Sequence, residues 1–508
     1  MELIKEKEAY MDKLFNDNIR VSVEEDIIVP DVKPDILKVL QVDARAYITD
    51  KGIVSGGVYA KGKLYVNILY IPDSETEEIC SIKTEFDFKT KIDNASIMPD
   101  MSMKMYCDVI KADFSAINSR KLAIMASVSI DYEIFYHKEL ELCVGIDDDK
   151  AEFISKSFVQ DRVSVVEDCE FQIRSALEVP GGKKSISQIL KLDARVDDKD
   201  IKVMNAKVIA KGSVVASILY ITADEKVEYF DARVPFTEFF DVFDLEETDL
   251  CRLQLNIGEI KADLNTDSDG DMRIVNIECQ VNASLAAVNK KEIKTISDCI
   301  CPGVKTNIDY EETILRVGVG NVTMNSQIKE LIVPDLKIPN PVKIYNVVAD
   351  AEITKINAKG GVIDFSGKLK VYLMYISDNS KCCVYSIKKD IPFEYSYNCE
   401  DADDNCLFDI WTAVNGISYN INSNGEIDFK CFIDFDIDVY KKENIKIMAN
   451  IRSEEVKKNS DIIIYFVGKG DTLWDIAKKY SVNRLEICEV NGIDETIYEG
   501  QKLIIPSV

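Results

Sequence analysis

The chain has 508 residues, with 62 basic and 89 acidic side chains, a formal net charge of −27, 46% apolar residues and a single histidine, His137. Such a length predicts about three domains, each able to bury its own core. Charge of this sign makes nucleic acid and anionic lipid poor partners for the chain as a whole, and one histidine removes most catalytic dyads, triads and histidine-rich metal sites.

The amino terminus, MELIKEKEAYMDKLF, mixes charged and apolar residues without a continuous apolar core, so no secretory signal is expected. Leu3, Lys7, Tyr10, Met11 and Leu14 fall at helical spacing and predict an amphipathic helix over residues 1–20. No run approaches the roughly eighteen apolar residues of a membrane span, so the expectation is a cytoplasmic chain without membrane insertion. The 14 cysteines are scattered, with Cys299/Cys301 and Cys382/Cys383 the closest pairs and no C-x-x-C spacing. In a reducing compartment they read as small core residues rather than as disulfides or a zinc site.

A long period organises the body of the chain. Residues 39–71 (VLQVDARAYITDKGIVSGGVYAKGKLYVNILYI), 189–221 (ILKLDARVDDKDIKVMNAKVIAKGSVVASILYI) and 344–376 (IYNVVADAEITKINAKGGVIDFSGKLKVYLMYI) align without a gap at offsets of 150 and 155. Gly62, Gly212 and Gly367 superpose, as do Tyr70, Tyr220 and Tyr375, and a Val-Pro step precedes each block at Pro30, Pro180 and Pro334. Matches at one spacing predict three tandem modules, over 21–152, 153–305 and 306–452. In each, alternation places Leu64, Val66, Ile68 and Tyr70, then Val214, Ala216, Ile218 and Tyr220, then Leu369, Val371, Leu373 and Tyr375 on one strand face. Hairpin turns follow at Asn118-Ser119, Asp267 to Asp271 and Asn424-Gly425. A capping box at Ser185 to Gln188 and the Pro34-Asp35 step predict one short helix near the start of each module. The fold class expected is mainly β: three antiparallel β-rich modules, then a small α+β domain.

Candidate chemistry thins out on inspection. Asn265, Asp267, Asp269 and Gly270 imitate the start of a calcium loop, but Asn276 stands where the bidentate glutamate belongs and strands flank the turn. PGGKKS (180–185) and RVGVGN (316–321) lack the glycines and the Gly-Lys-Ser/Thr ending of phosphate loops. The acidic runs Asp147 to Asp149 and Glu400 to Asp404 read as solvated loop charge, and His137 as structural or exposed. No metal or cofactor is predicted, and no nucleophile and base stand out.

After a polar linker, 453–462, residues 463–508 read βααβ. Asp471 or Thr472 caps a helix with Leu473, Ile476, Ala477 and Tyr480 on one face; Asn483 and Glu486 box a second, carrying Ile487 and Val490, that ends at Asn491-Gly492. This segment carries five basic and seven acidic residues, leaving −25 of the −27 on the rest of the chain.

The segment resembles a LysM module at Tyr465, Val467, Gly470, Asp471, Thr472, Leu473, Ile476, Ala477, Tyr480, Asn491, Ile493, Ile497, Gly500, Gln501, Leu503, Ile505 and Pro506. The resemblance implies a shallow groove for N-acetylglucosamine polymers formed by Gly470, Asp471, Thr472 and Leu473 with Asn491, Gly492 and Ile493. Trp474 lies about 110° from the apolar centre of the first helix and Leu485 nearly opposite Ile487 on the second, at roughly 100° per residue. If that register holds, the two form a protein-contact patch; if it slips by one at Arg484, Leu485 is buried instead. Three β-rich repeats followed by one LysM module resemble the SPOCS (DUF3794) family of spore-envelope proteins. That resemblance implies a non-enzymatic scaffold at the forespore surface in the mother cell, contacting a SpoIVA-like coat ATPase and other coat proteins, with peptidoglycan binding as the alternative.

Overall fold

The alternating segment of each repeat becomes the middle strand of a three-stranded antiparallel sheet. The computed structural model describes residues 1–74, 79–243, 245–335, 339–377, 384–456 and 462–506. Module one contains β1 (Leu3–Ile28), β2 (Ile36–Val54), β3 (Gly57–Pro72), β4 (Cys80–Asp93), β5 (Ser102–Asn118) and β6 (Lys121–Ile146). Module two repeats the plan as β7 (Glu152–Glu178), β8 (Ile186–Met204), β9 (Lys207–Thr222), β10 (Val227–Asp241), β11 (Leu250–Thr266) and β12 (Met272–Ile300). Module three comprises β13 (Val304–Ile332), β14 (Lys343–Lys359), β15 (Val362–Ile376), β16 (Val384–Asn398), β17 (Leu407–Ile421) and β18 (Ile427–Glu455). The small sheets are β2-β3-β4, β8-β9-β10 and β14-β15-β16; in each module the sixth strand lies between the first and the fifth in a larger sheet. The two sheets of a module close on the predicted face, where Leu64, Val66, Ile68 and Tyr70 and their counterparts Val214, Ala216, Ile218 and Tyr220 are all 0% exposed.

The recurring glycines and tyrosines have separate physical reasons. A Cβ on Gly62 would stand 2.3 Å from the ring of Phe88, and on Gly367 2.6 Å from that of Phe393 and 2.1 Å from the Glu352 carbonyl, so an aromatic residue of the next strand lies across each glycine. The hydroxyls of Tyr70, Tyr220 and Tyr375 donate to the carbonyls of Pro34, Lys184 and Pro339 at 3.1, 3.4 and 2.8 Å, pinning each opening loop to its sandwich.

Two helical expectations fail. The opening segments form turns, with Lys33 N–H donating to Pro30 O and Lys183 N–H to Pro180 O, and Ile36 and Ile186 begin strands directly. Arg120, in the β5–β6 turn, and Arg273, at the start of β12, donate to the loop carbonyls of Val29 and Val179 at 3.1 and 2.8 Å, so those carbonyls serve the tertiary fold and not a helix. Residues 1–20 are strand, not helix: β1 pairs with β6 from Leu3↔Ile146 to Ile28↔Lys121. Protein meets both faces of this strand around Tyr10 and Met11, which are both buried. Their adjacency breaks period two and imitates a helical stripe, and a short isolated helix has little stability to oppose a ladder of that length.

The modules surround a common axis. Leu69, Leu219 and Met374, at matching repeat positions, share one buried cluster with Leu190 and Tyr345. Beyond the sandwiches the long first and sixth strands run on as three two-stranded arms, which pack on one another through Tyr10, Leu140, Ile293, Leu315 and Ile445, then through Cys143, Ile296, Cys299, Met448 and Ile451. Ladder contact between arms is minimal, a single pair at Met11↔Val163 and another at Val317↔Gln160, so side chains hold the three together.

Each joint also carries buried charge. Between modules two and three, Arg252 donates to Asp438 at 2.7 and 2.8 Å and to Asp436 at 2.9 and 3.0 Å, with its guanidinium 3.8 Å from the centre of the Trp411 ring. Between modules three and one, Asp409 accepts from Lys13 at 2.9 Å and from Arg316 at 2.5 Å. Burial opposes its charge, but the two cations outweigh that and hold its carboxyl below the usual range. Between modules one and two, buried Lys191 bridges Asp43 and Asp193 at 2.7 and 3.0 Å. A second place on the joint between modules three and one has the opposite character. Asp350 of β14 faces Asp108 of β5, and burial first, then the neighbouring carboxylate, pushes Asp350 up.

Arg252→Ala is expected to lower stability by about 3–5 kcal/mol, the penalty for leaving buried carboxylates unpaired, measured by denaturant titration of the full chain. Asp350→Asn should act oppositely and raise the unfolding midpoint at pH 7. The sign follows from a folded pKa above the unfolded value: ionisation at neutral pH opposes folding, so the advantage of asparagine fades as pH falls toward the ordinary carboxylate range.

Candidate functional site

The last segment builds a compact unit of β19 (Ile463–Phe466), α1 (Leu473–Tyr480), α2 (Arg484–Asn491) and β20 (Lys502–Ile505), with β19 antiparallel to β20. Thr472 caps α1 by accepting from Asp475 N–H at 3.1 Å, and Asn483 caps α2 by accepting from Leu485 N–H at 2.7 Å. Gly492 ends α2 with φ of 61°, a left-handed conformation that favours glycine. Val467, Leu473, Ile476, Ala477, Ile487, Leu503 and Ile505 form the core. Ile487 is 0% exposed and Leu485 56%, so the helix register holds; Cys488, not Val490, is the second buried residue of α2.

The predicted groove residues lie on the two expected loops, but their polar side chains already have partners. Asp471 accepts from the Tyr465 hydroxyl at 2.6 Å and from Gly468 N–H at 2.8 Å, and these bonds, the tyrosine's first, hold its carboxyl below the usual range. Thr472 is spent on its cap. The Asn491 amide donates to Ile504 O and accepts from Ile504 N–H, both at 2.7 Å, and donates to Ile487 O at 2.8 Å, tying α2 to β20. Gly470 and Gly492 remain exposed, Leu473 is buried and Ile493 half-buried.

Trp474 and Leu485 do not form one open patch. Leu485 faces solvent, while Trp474 is half-buried against the arms and its indole N–H donates to Asp298 of β12 at 2.8 Å. Sequence reasoning also missed an apolar surface on the outward side of the two-stranded sheet, where Ile464, Phe466 and Ile504 are 48, 66 and 40% exposed. The uninterrupted apolar run from Ile462 to Val467 was its only signal, because no polar alternate marks the outer face.

Elsewhere, a cleft of about 360 Å³ separates modules one and two, lined by Tyr47, Cys107, Asn256 and Ser284 and crossed by the Lys51–Asp168 ion pair at 2.5 Å. Asp267 of the imitation calcium loop accepts from Asp269 and Asp271 N–H at 2.9 and 3.0 Å, closing the β11–β12 turn. His137 is exposed on β6. Most cysteines of the described residues are buried, and burial pushes the thiols of Cys251 and Cys279 up to about 11; Cys382 and Cys383 lie outside those residues. Among the described residues no helix is long and apolar enough to cross a membrane, and no group of three or more His, Cys, Asp or Glu side chains is arranged to hold a metal ion.

A body of three β repeats carrying one small appended module is the plan of a tandem-repeat protein. A family model described as SipL, SPOCS domain matches residues 35–117, 185–265 and 342–422, and a LysM domain model matches residues 465–506. The chain thus carries three SPOCS repeats followed by one LysM domain. Both are non-catalytic families, and their combination fits a sporulation scaffold or a glycan-binding role. Neither a curated protein nor a solved structure matches the chain.

Asn491→Ala should destabilise the LysM unit by about 0.5–1.5 kcal/mol, the net contribution of a hydrogen bond, because it removes the side chain that ties α2 to the Ile504 backbone of β20. Hydrogen exchange of the full chain is the measurement: protection should fall across 463–505 and be retained in β1 to β18.

Proposed function

We propose that this chain is a non-enzymatic morphogenetic scaffold of the spore envelope, made in the mother cell, that holds a SpoIVA-like coat ATPase at the forespore surface through its LysM module and so supports coat attachment and cortex formation. The observation that carries the choice of a protein over a glycan is the state of the groove: Asp471, Thr472 and Asn491, the side chains fitted to read an acetamide, are engaged within the module. Apolar side chains suited to a protein surface are exposed instead, Leu485 on α2 and Phe466 on β19. The unit is also nearly neutral, while the chain before it carries −25 of the net −27, so a negatively charged surface meets the least repulsion there. Peptidoglycan binding through the open backbone at Gly470 and Gly492 is the alternative reading, supported by the LysM match.

Co-purification of the ATPase with the full chain is the test. Removing 463–508 should abolish it, and Leu485→Asp should weaken it roughly tenfold without moving the melting temperature, the loss typical of an anchor side chain. Undiminished capture by the truncated chain overturns the proposal. Titration with a chito-oligosaccharide should give no saturable signal, and saturation would establish the glycan reading.

A further inference from the structure

The LysM module does not hang free of the repeats. One stripe of α1, continued into the turn after it, lies on the far end of the arms where β12 hands over to β13. Asp298 of β12 accepts from the Trp474 indole at 2.8 Å and also pairs with Lys478, one helical turn further on. The backbone carbonyl of Ser481 accepts from Gly303 N–H at 2.8 Å, and Gly303 O in turn accepts from Val456 N–H at 3.1 Å. Glu152, at the start of β7, accepts from the Arg484 backbone N–H at 3.4 Å and lies 3.6 Å from its guanidinium. Ile300, 1% exposed, belongs to the LysM core and not to a core of the repeats. The arms thus contribute one apolar side chain, two carboxylates and one backbone donor to a seat shaped for this face.

The contents of the seat are unusual for a simple packing contact. Trp474 is the residue of the module best suited to anchor a protein partner, since a large amphipathic ring buries much area at little conformational cost. Here that ring is half-buried against the arms, and its one donor is satisfied by a carboxylate that also binds Lys478. Leu485 and the Ile464–Phe466 face remain outside the seat, so part of the module stays available while its strongest anchor is withheld.

We infer that the Asp298–Glu152–Gly303 seat is an intramolecular docking surface that holds the LysM module closed on the repeats, and that a protein partner taking Trp474 must first lift the module from it. The inference rests on the LysM module being the partner-binding element. Closed and open forms differ in which surface covers the indole, so the apparent affinity for the partner falls by the fraction of molecules that are open.

The experiment uses the full chain labelled with 5-fluorotryptophan. The chain has two tryptophans, so two fluorine resonances arise, and Trp474→Phe assigns them. Asp298→Ala is expected to move the Trp474 resonance to its solvent position and leave that of Trp411 in place, while Asp298→Asn, which keeps an acceptor for the indole, should move it less. Lys478→Ala removes the ion pair to Asp298 from the module side, without touching the repeats, and should move the Trp474 resonance in the same direction. Binding of the purified coat ATPase should tighten about tenfold in Asp298→Ala, as expected if the closed form dominates by that ratio. A Trp474 resonance unchanged in both Asp298→Ala and Lys478→Ala overturns the seat. A resonance that moves with unchanged ATPase affinity overturns the competition. If the resonance moves and neither wild type nor variant binds the ATPase, the seat is upheld and the assignment of the partner fails instead.

Discussion

No repeat of this chain can bury its long strands alone. β1, β7 and β13 and their partners β6, β12 and β18 run well past the sandwiches, and their extensions carry apolar residues, Leu140, Leu142, Leu315, Ile445 and Ile447 among them, with no second sheet of the same module to cover them. A two-stranded ribbon with one apolar face is marginal in water. Three such ribbons cover each other, and the rest of the architecture depends on that packing: a common axis, a second contact among the sandwiches at Leu69, Leu219 and Met374, and a body that acts as one unit although its sequence is a tandem array.

The buried ion pairs at the joints have a different part from the apolar contacts. Hydrophobic burial is undirected, and repeats this similar offer several ways to associate. Arg252 between Asp436 and Asp438, Asp409 between Lys13 and Arg316, and Lys191 between Asp43 and Asp193 are three dissimilar locks, one at each joint. Desolvation offsets much of the Coulomb gain in such networks, while any wrong pairing strands a buried charge. They select which module meets which, and in what register, more than they add stability.

The three repeats, the alternation of their central strands, the hairpin turns and the βααβ order of the last unit were all legible in the sequence, because each depends on local periodicity or turn chemistry. Residues 1–20 were not, since Tyr10 and Met11 are buried on opposite faces by neighbours more than a hundred residues away. The opening turns were misread for a related reason: Ser185 to Gln188 has a capping pattern, but Arg273 and the Tyr220 hydroxyl draw the nearby carbonyls into tertiary bonds. At the candidate site the helix register and both caps were legible. What the sequence concealed was the surroundings of Trp474, whose partner Asp298 lies 176 residues earlier on a strand of another module.

Tethering explains how so modest a contact suffices. Besides the buried Ile300 side chain, the seat offers one indole hydrogen bond, ion pairs to two carboxylates and a backbone hydrogen bond, each of these polar contacts worth about 1 kcal/mol or less once solvent exchange is counted. Between separate molecules that sum is consumed by lost translational freedom. Within one chain only seven residues separate the end of β18 from the start of the module, and its effective concentration is in the millimolar range for a short linker. Weak contacts then close the module most of the time while leaving it removable, a balance that a larger apolar interface lacks. The acidic body contributes to the same end, because Asp298 and Glu152 hold the cationic Lys478 and Arg484 of an otherwise nearly neutral unit. A scaffold whose repeats are locked together and whose one binding module is only lightly held presents a rigid body and a releasable contact from a single chain.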